Sequence, residues 1–352
     1  HFPIWHKEIE DIIVLKNNKG TEDNRVRKLD YSIQLSKLFY ERFIDDEEIT
    51  LFSPHEVPEL YEAWGTPEFD ELYEKTERKT SVWKKKVSAQ TLFFDLLKER
   101  AETGRIYIMN IDHCNTHSSF KDRVTMSNLC QEITLPTDPI QHIDGSGEIA
   151  LCILSAINVG IIKEIDDLEE LCDLAVRALD EIIDHQKYPV KAAEVSTKAR
   201  RSLGVGYIGL AHYLAKNKVQ YSDKKAWKLV DDLTEAFQFY LLKASNIVAQ
   251  EKGKCDYFDR TKYSDGILPV DTYKKDVDEL VKPKFNYDWE WIRGQIKKHG
   301  LRHSTLSAQM PSESSSVVSN ATNGIEPPRD YLSVKKSKKG TLKQIVPQYA
   351  TL

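Results

Sequence analysis

The chain has 352 residues, 40% of them hydrophobic and 30% charged, a balance typical of a folded globular chain with room for one large or two medium domains. A formal net charge of −5 gives no electrostatic basis for nucleic-acid binding. No apolar run approaches the about 18 residues of a membrane-spanning helix, so neither nucleic acid nor membrane is expected as a partner. The five cysteines (Cys114, Cys130, Cys152, Cys172 and Cys255) are odd in number, widely spaced and lack a CxxC pair. They fit a reducing, cytoplasmic setting with no metal site, not a disulfide scaffold or a zinc ribbon.

The first residues, His1-Phe2-Pro3-Ile4-Trp5-His6, include no initiator Met and no signal-peptide pattern, so the chain reads as cut from a longer polypeptide or as its ordered part. Residues 31–43 are amphipathic and predict a helix, and Ser53-Pro54 opens a short helical region. Residues 82–103 carry Val87, Leu92, Phe93, Leu96 and Leu97 at helical spacing and stop at Gly104. Ile106-Tyr107-Ile108-Met109 reads as a short buried strand. Residues 128–136 read as extended up to Pro136, 138–147 as a polar loop, and 149–162 as either a strand or a buried helix.

A helix is expected over 165–186, with Leu168, Leu171, Leu174, Ala175 and Leu179 on one face. Further helices are expected over 206–216, 225–252 and 288–299, with an irregular stretch at 255–283 and a Ser-rich segment at 304–323. Short strands separated by helical connections predict an α/β fold. No repeat or linker marks a domain boundary, so residues 1–352 are read as one region.

Five motifs carry chemistry or its appearance. In Asn128-Leu129-Cys130-Gln131-Glu132, an extended backbone would turn an amide, a thiol and a carboxyl to one face. A lone cysteine is ordinarily a small buried hydrophobe, but an acid two positions on needs a task or a partner. Downstream, Gly147-Glu148-Ile149-Ala150-Leu151-Cys152 supplies a further thiol. Pro311-Ser312-Glu313-Ser314-Ser315 looks like a helix start, where unpaired N–H groups favour an anion; Glu313 opposes a phosphate unless its carboxylate points away.

Gly204-Val205-Gly206-Tyr207-Ile208-Gly209 spells GxGxxG but follows Lys198-Ala199-Arg200-Arg201 instead of an apolar strand. Close backbone packing at a helix start is therefore expected there, not a dinucleotide. Asp112-His113-Cys114-Asn115-Thr116-His117 lacks a fourth metal ligand at a familiar spacing, and hydrogen-bonded histidines packing a strand end are expected.

Taken with Asn320-Ala321-Thr322-Asn323-Gly324-Ile325-Glu326-Pro327-Pro328, these motifs resemble the large, catalytic (alpha) subunit of class I ribonucleotide reductase, of bacterial or bacteriophage aerobic type. The resemblance runs from the first six residues to Val346-Pro347-Gln348-Tyr349. It takes in Lys16-Asn17-Asn18-Lys19-Gly20, Thr103-Gly104-Arg105-Ile106-Tyr107 and Gly266-Ile267-Leu268-Pro269-Val270-Asp271-Thr272-Tyr273.

The resemblance implies part of a ten-stranded α/β barrel with the catalytic cysteine on an inner loop, and thiyl-radical reduction of ribonucleoside diphosphates for DNA synthesis. It makes Cys130 the radical, Glu132 the base for the 3′ hydroxyl, Asn128 its hydrogen-bonding partner to the substrate hydroxyls, and Cys152 one member of the reducing dithiol. Pro311, Ser312, Glu313, Ser314 and Ser315 become the substrate-diphosphate loop, with Ser314 where many relatives carry Thr.

No cofactor is implied on this chain. A metal-containing small (beta) subunit supplies the radical, ATP and dNTP effectors act on the full-length subunit, and thioredoxin or glutaredoxin supplies electrons. In the family the partner thiol of Cys152 and the nucleotide-binding cone precede His1. The radical-relay tyrosines and the carboxy-terminal cysteine pair follow Leu352. The isolated chain is therefore expected to be inactive, acting in a large-subunit dimer or with companion fragments. The rivals are a non-catalytic assembly module and an enzyme using Cys130 as a polar nucleophile, the latter without an evident His partner.

Overall fold

The computed structural model describes residues 1–17, 19, 21–142, 146–280, 284–337 and 340–351. Asn18 and Gly20 of the Lys-Asn-Asn-Lys-Gly motif, and residues 143–145 and 281–283 of the stretches expected as loop and irregular, lie outside the described residues. The chain forms two compact units, His1–Pro136 and Thr137–Leu352.

The first unit contains strands β1 (Phe2–Pro3), β2 (Tyr31–Leu35), β3 (Glu48–Leu51), β4 (Lys85–Ser88) and β5 (Ile106–Asn110). Its helices are α1 (Ile9–Ile13), α2 (Lys37–Ile44), α3 (Pro58–Ala63), α4 (Phe69–Glu77), α5 (Ala89–Thr103) and α6 (Ile111–Thr116). A parallel sheet of order β1-β2-β5 forms its centre, with Phe2 paired to Ile33 and Ile33 to Ile108. Every residue of β2 is buried, as a central strand of a sheet covered on both faces requires.

The helix expected over 31–43 is therefore half strand. Ser36 is the switch point: its Oγ accepts the Phe39 N–H at 3.3 Å and caps α2. Polar Gln34 survives inside the sheet because both ends of its amide are bonded. Its Oε1 accepts from Trp64 Nε1 and its Nε2 donates to the Thr125 carbonyl, each at 2.8 Å. The helix expected over 82–103 begins only at Ala89, after β4 has paired antiparallel with β3, and it ends at left-handed Gly104 (φ +64°).

The second unit contains β6 (Asp138–His142), β7 (Ser146–Glu148), β8 (Ile153–Asn158), β9 (Leu203–Ile208), β10 (Leu332–Ser337) and β11 (Gly340–Ile345). Its helices are α7 (Asp167–His185), α8 (Lys191–Arg200), α9 (Leu210–Lys216), α10 (Lys224–Lys252), α11 (Pro269–Thr272), α12 (Trp289–His299) and α13 (Glu313–Val318). β8 and β9 pair in parallel from Ile153–Leu203 to Asn158–Ile208. Residues 305–308 run beside β9: Leu203 N–H donates to Thr305, Val205 to Leu306 and Ala308 to Val205, at 2.8–3.2 Å.

α7 and α10 cover this sheet. The buried stripe of α7 is Leu168, Cys172, Val176, Leu179 and Ile183, while Leu174, expected on that face, is exposed. Each such aliphatic side chain contributes about 1.5–3 kcal/mol on burial.

The loop expected at 138–147 is a hairpin: β6 and β7 pair antiparallel, with Asp138 opposite Glu148. Its side chains are too polar to show a strand alternation. The helix expected from 206 starts only at Leu210, because β9 occupies the residues before it. Gly206 explains the strand: a Cβ there would lie 2.4 Å from the Ala308 carbonyl oxygen, so only glycine lets the neighbouring backbone approach. The irregular stretch resolves into short 3-10 turns around α11.

Charge is also buried in this unit. Asp180 and His303, both 0% exposed, face each other at 3.1 Å. Arg201 donates to Asp180 at 2.7 Å through Nε, and Ser245 Oγ lies 2.9 Å from His303 Nδ1.

Among the described residues no helix is long and apolar enough to cross a membrane. The α/β class holds. No closed barrel forms among the described residues, whose parallel strands lie in the β1-β2-β5 sheet and the β8–β9 pair.

Candidate functional site

In the first unit, the segment that reaches Cys130 is anchored before it turns. The Thr125 carbonyl is held by Gln34, and the Asn115 side chain clamps Val124, accepting its N–H at 2.8 Å and donating to its carbonyl at 3.0 Å. The His1 ring lies 3.0 Å from the Ser127 carbonyl. Ser127 and Thr134 then form an antiparallel bridge, and buried Ile133 and Leu135 anchor the return. Asn115 belongs to the Asp112–His117 motif. That motif lies on α6 and its cap, with the His113 and His117 rings 5.6 Å apart edge to face. No group of three or more His, Cys, Asp or Glu able to hold a metal is present among the described residues.

Residues 128–132 are a reverse turn, not the extended segment expected. Gln131 N–H closes on the Asn128 carbonyl at 3.2 Å, and Gln131 sits in the left-handed region at φ +59°. A non-glycine residue there costs about 1–2 kcal/mol, and strain of this kind concentrates at functional sites. Asn128 Oδ1 faces the Ile133 N–H and the Ser127 hydroxyl, each at 3.4 Å, while its Nδ2 makes no hydrogen bond among the described residues. The amide, thiol and carboxyl thus share a turn, and curvature replaces the two-residue period as the reason for their grouping.

Cys130 is exposed and Glu132 half-buried. Glu132 Oε2 is a buried oxygen with no hydrogen-bond partner among the described residues. Partial burial of the sulfur and the nearby Glu132 carboxylate both push the Cys130 thiol above its usual pKa. The group is therefore an S–H at neutral pH, suited to giving and taking a hydrogen atom. A polar nucleophile needs the opposite shift, toward thiolate.

Cys152 and the serine segment belong to the second unit. Cys152 is half-buried and stands immediately before β8. The residues on either side of it are pinned: Ile149 N–H donates to Ala192 and Ile153 N–H to Ser202, each at 3.4 Å. The serine segment follows the 305–308 run, beyond the carboxy-terminal end of β9. Gln309 Nε2 fastens it there by donating to the Tyr207 carbonyl at 2.7 Å. The sheet does not bring Cys152 and the serines to one end.

Ser312 precedes α13 with φ +47°. Its buried Oγ makes no hydrogen bond among the described residues. The first N–H groups of α13 have no partner within the helix. Ser315 Oγ donates back to the Ser312 carbonyl at 3.2 Å, and Ser316 Oγ lies 3.0 Å from Asn323 Oδ1. Pro311, Glu313 and Ser314 are exposed. The helix start expected from the sequence is present, and the Asn320–Asn323 residues brace it.

The GxGxxG stretch lies in β9 and its exit, and its donors are occupied. Gly209 N–H donates to Thr322 at 3.0 Å and Leu210 N–H to Gly324 at 3.4 Å. No cradle of unused amides is left for a dinucleotide phosphate. Sequence reasoning missed the buried Glu148–Arg200 pair. The available signal was a carboxylate directly ahead of the apolar run at 149–162.

A family model described as the barrel domain of ribonucleotide reductase matches residues 1–351. The chain is 58% identical to the ribonucleoside-diphosphate reductase subunit alpha of Haemophilus influenzae, over 100% of this chain and 47% of that protein. It is 55% identical to the ribonucleoside-diphosphate reductase 1 subunit alpha of Escherichia coli, with the same coverage. To the subunit alpha of Enterobacteria phage T4 it is 46% identical, over 99% of this chain and 46% of that one. The chain spans about half the length of these curated relatives.

Proposed function

Since the chain belongs to the ribonucleotide reductase family, through its barrel domain, we propose that it is the catalytic core of a ribonucleoside-diphosphate reductase, with residues 1–352 acting as one catalytic region. The observation that carries this reading is an exposed thiol at Cys130 on a strained turn, next to a Glu132 carboxylate oxygen with no hydrogen-bond partner among the described residues.

Cys130, once oxidised to a thiyl radical, takes the 3′ hydrogen atom of the ribose and returns it after reduction. Glu132 accepts the proton of the 3′ hydroxyl; general-base help of this kind is worth on the order of 10²–10⁴ in rate. Asn128 offers its unused Nδ2 donors to the sugar hydroxyls. The 2′ hydroxyl leaves as water, and a dithiol that includes Cys152 supplies two electrons and two protons as it becomes a disulfide. Ser312, Ser314 and Ser315, with the first N–H groups of α13, hold the diphosphate; Pro311 shapes the entry, and Glu313 is exposed.

The radical comes from a metal-containing small subunit, and re-reduction from thioredoxin or glutaredoxin. ATP and dNTP effectors bind parts of the subunit outside this chain, and the setting is cytoplasmic. Alone, the chain is inactive, and it works within a large-subunit dimer or with companion fragments.

Replacing Cys130 with Ser in the assembled enzyme tests the reading: nucleoside-diphosphate reduction is abolished and small-subunit binding persists. Retained reduction refutes the radical role. Turnover by the chain with only a small subunit and a dithiol refutes the claim that it is inactive alone.

A further inference from the structure

We propose that Glu148 is a positioning residue for Cys152, acting through a buried charge cluster that fixes the chain between them. The inference rests on the reading of Cys152 as a reducing thiol.

Glu148 ends β7 and is 6% exposed. Its carboxylate accepts two hydrogen bonds from Arg200, which is 2% exposed: Nε to Oε2 at 2.6 Å and Nη2 to Oε1 at 3.0 Å. Ser196 Oγ donates to Oε2 at 3.2 Å, and Arg260 Nη1 reaches Oε1 at 3.5 Å. Tyr257 packs against both guanidinium groups, its ring centre 5.0 Å from Arg200 Cζ and 4.4 Å from Arg260 Cζ. The Tyr257 N–H is itself bound to the Ala199 carbonyl at 3.1 Å. Across the hairpin stands Asp138, whose carboxyl is pushed up by burial and by the Glu148 charge it faces. The cluster thus ties the β6–β7 hairpin to α8 and to the turn at 257–260.

A buried ion pair adds little net stability over an apolar pair of similar size. What this one supplies is direction, because two parallel bonds from a planar guanidinium fix the carboxylate in angle as well as distance. The backbone repeats the anchoring immediately afterwards. Ile149 N–H is held by Ala192 near the start of α8, and Ile153 N–H by Ser202 just beyond its end. Residues 149–152 therefore run as a short span fastened at one end to α8 and at the other to the residue that follows its cap, and Cys152 is the last residue before the second fastening. A thiol that alternates between S–H and S–S must return each time to a sulfur–sulfur distance near about 2.05 Å with a defined torsion. A span free to drift by an ångström would lose that register.

The test is the alkylation rate of each cysteine by iodoacetamide, read by mass spectrometry in the assembled, reduced reductase, for Glu148→Gln and Arg200→Lys. Cys114, in the other unit, is the internal control. The Cys152 rate changes by about 5-fold or more while that of Cys114 holds, and kcat falls with KM for the nucleoside diphosphate unchanged. A Cys152 rate that moves no more than that of Cys114 overturns the proposal. So does a general loosening in which buried Cys172 and Cys255 become reactive together with Cys152.

The pair Glu148→Leu with Arg200→Met keeps a packed interior without the charges and must still alter Cys152 selectively; wild-type reactivity in it also overturns the proposal. A Cys152→Ser enzyme with full turnover would sink the dithiol reading and leave the alkylation result standing.

Discussion

His303 makes the second unit sensitive to mild acid. Its ring is wholly buried; burial first, and the Arg201 and Arg302 charges next, bring its pKa from 6.5 to about 4, against the opposing pull of Asp180. At pH 7 the ring is neutral, taking a proton from Ser245 on Nδ1 and giving its Nε2 proton to Asp180. In the unfolded chain the same ring titrates near its ordinary value. Between about pH 6.5 and 4 the unfolded state thus binds more protons than the native one, and stability rises with pH. The contribution is fully present above the unfolded pKa and is lost as the pH falls toward the folded one. A shift of this size corresponds to roughly 3 kcal/mol.

Asp180 does not blur the window. Burial pushes it up, but the bond to His303 and the Arg201 charge outweigh this and hold it far below the usual carboxylate range, so it stays ionised there. Asp138, raised by burial and by Glu148, titrates with the opposite sign, so a difference measurement is needed. Urea midpoints from pH 7 to pH 4, read by amide exchange in Leu203–Ile208, are compared between wild type and His303→Gln. Glutamine keeps a donor for Asp180 and an acceptor for Ser245 without titrating. The wild type loses up to about 1.4 kcal/mol per pH unit more than the variant. Equal pH slopes would refute the buried-neutral assignment.

Glu132→Gln removes one of the causes that raise the Cys130 thiol, so the pH midpoint of Cys130 alkylation moves down, while remaining above that of a free cysteine because the partial desolvation of the sulfur persists. An unmoved midpoint means that the acid does not sense the sulfur. Gly206→Ala forces a methyl against the Ala308 carbonyl and the Met310 sulfur and costs about 1–3 kcal/mol in a urea melt; a neutral result shows that the 305–310 run yields freely. Gln131→Val places a β-branched residue at φ +59° and is less stable than Gln131→Gly by about 1–2 kcal/mol. Equal melts would mean that the turn relaxes.

Long helices were legible because burial repeats with the helical period: α7, α10 and α12 lie within a few residues of the expected 165–186, 225–252 and 288–299. Gly104 announced the end of α5. Strands were not legible where their side chains break the strand pattern. Ser32 and Gln34 disguise β2 because tertiary hydrogen bonds make buried polar groups tolerable. Gly204 and Gly206 disguise β9, whose need for glycine is set by a partner a hundred residues away. α8, β10 and β11 gave no signal that was read. At the candidate site the residue types were legible and the backbone was not: a left-handed Gln131 has no local sequence mark, and it converts the expected extended grouping into a turn. The grouping of amide, thiol and carboxyl does not depend on which backbone forms, because the turn also brings the three residues together.

Residues 309–324 form a loop buckled at both ends onto the corner between β9 and α9: Gln309 grips Tyr207, while the Thr322 and Gly324 carbonyls accept from Gly209 and Leu210. Within it, the Ala321 N–H closes on the Ser316 carbonyl at 2.8 Å. An anion arriving at the serines would meet a shape already set, so little of its binding free energy would be spent on freezing wandering backbone. The same stiffness carries a liability, since any strain placed on the core strand is delivered undamped to the loop it holds.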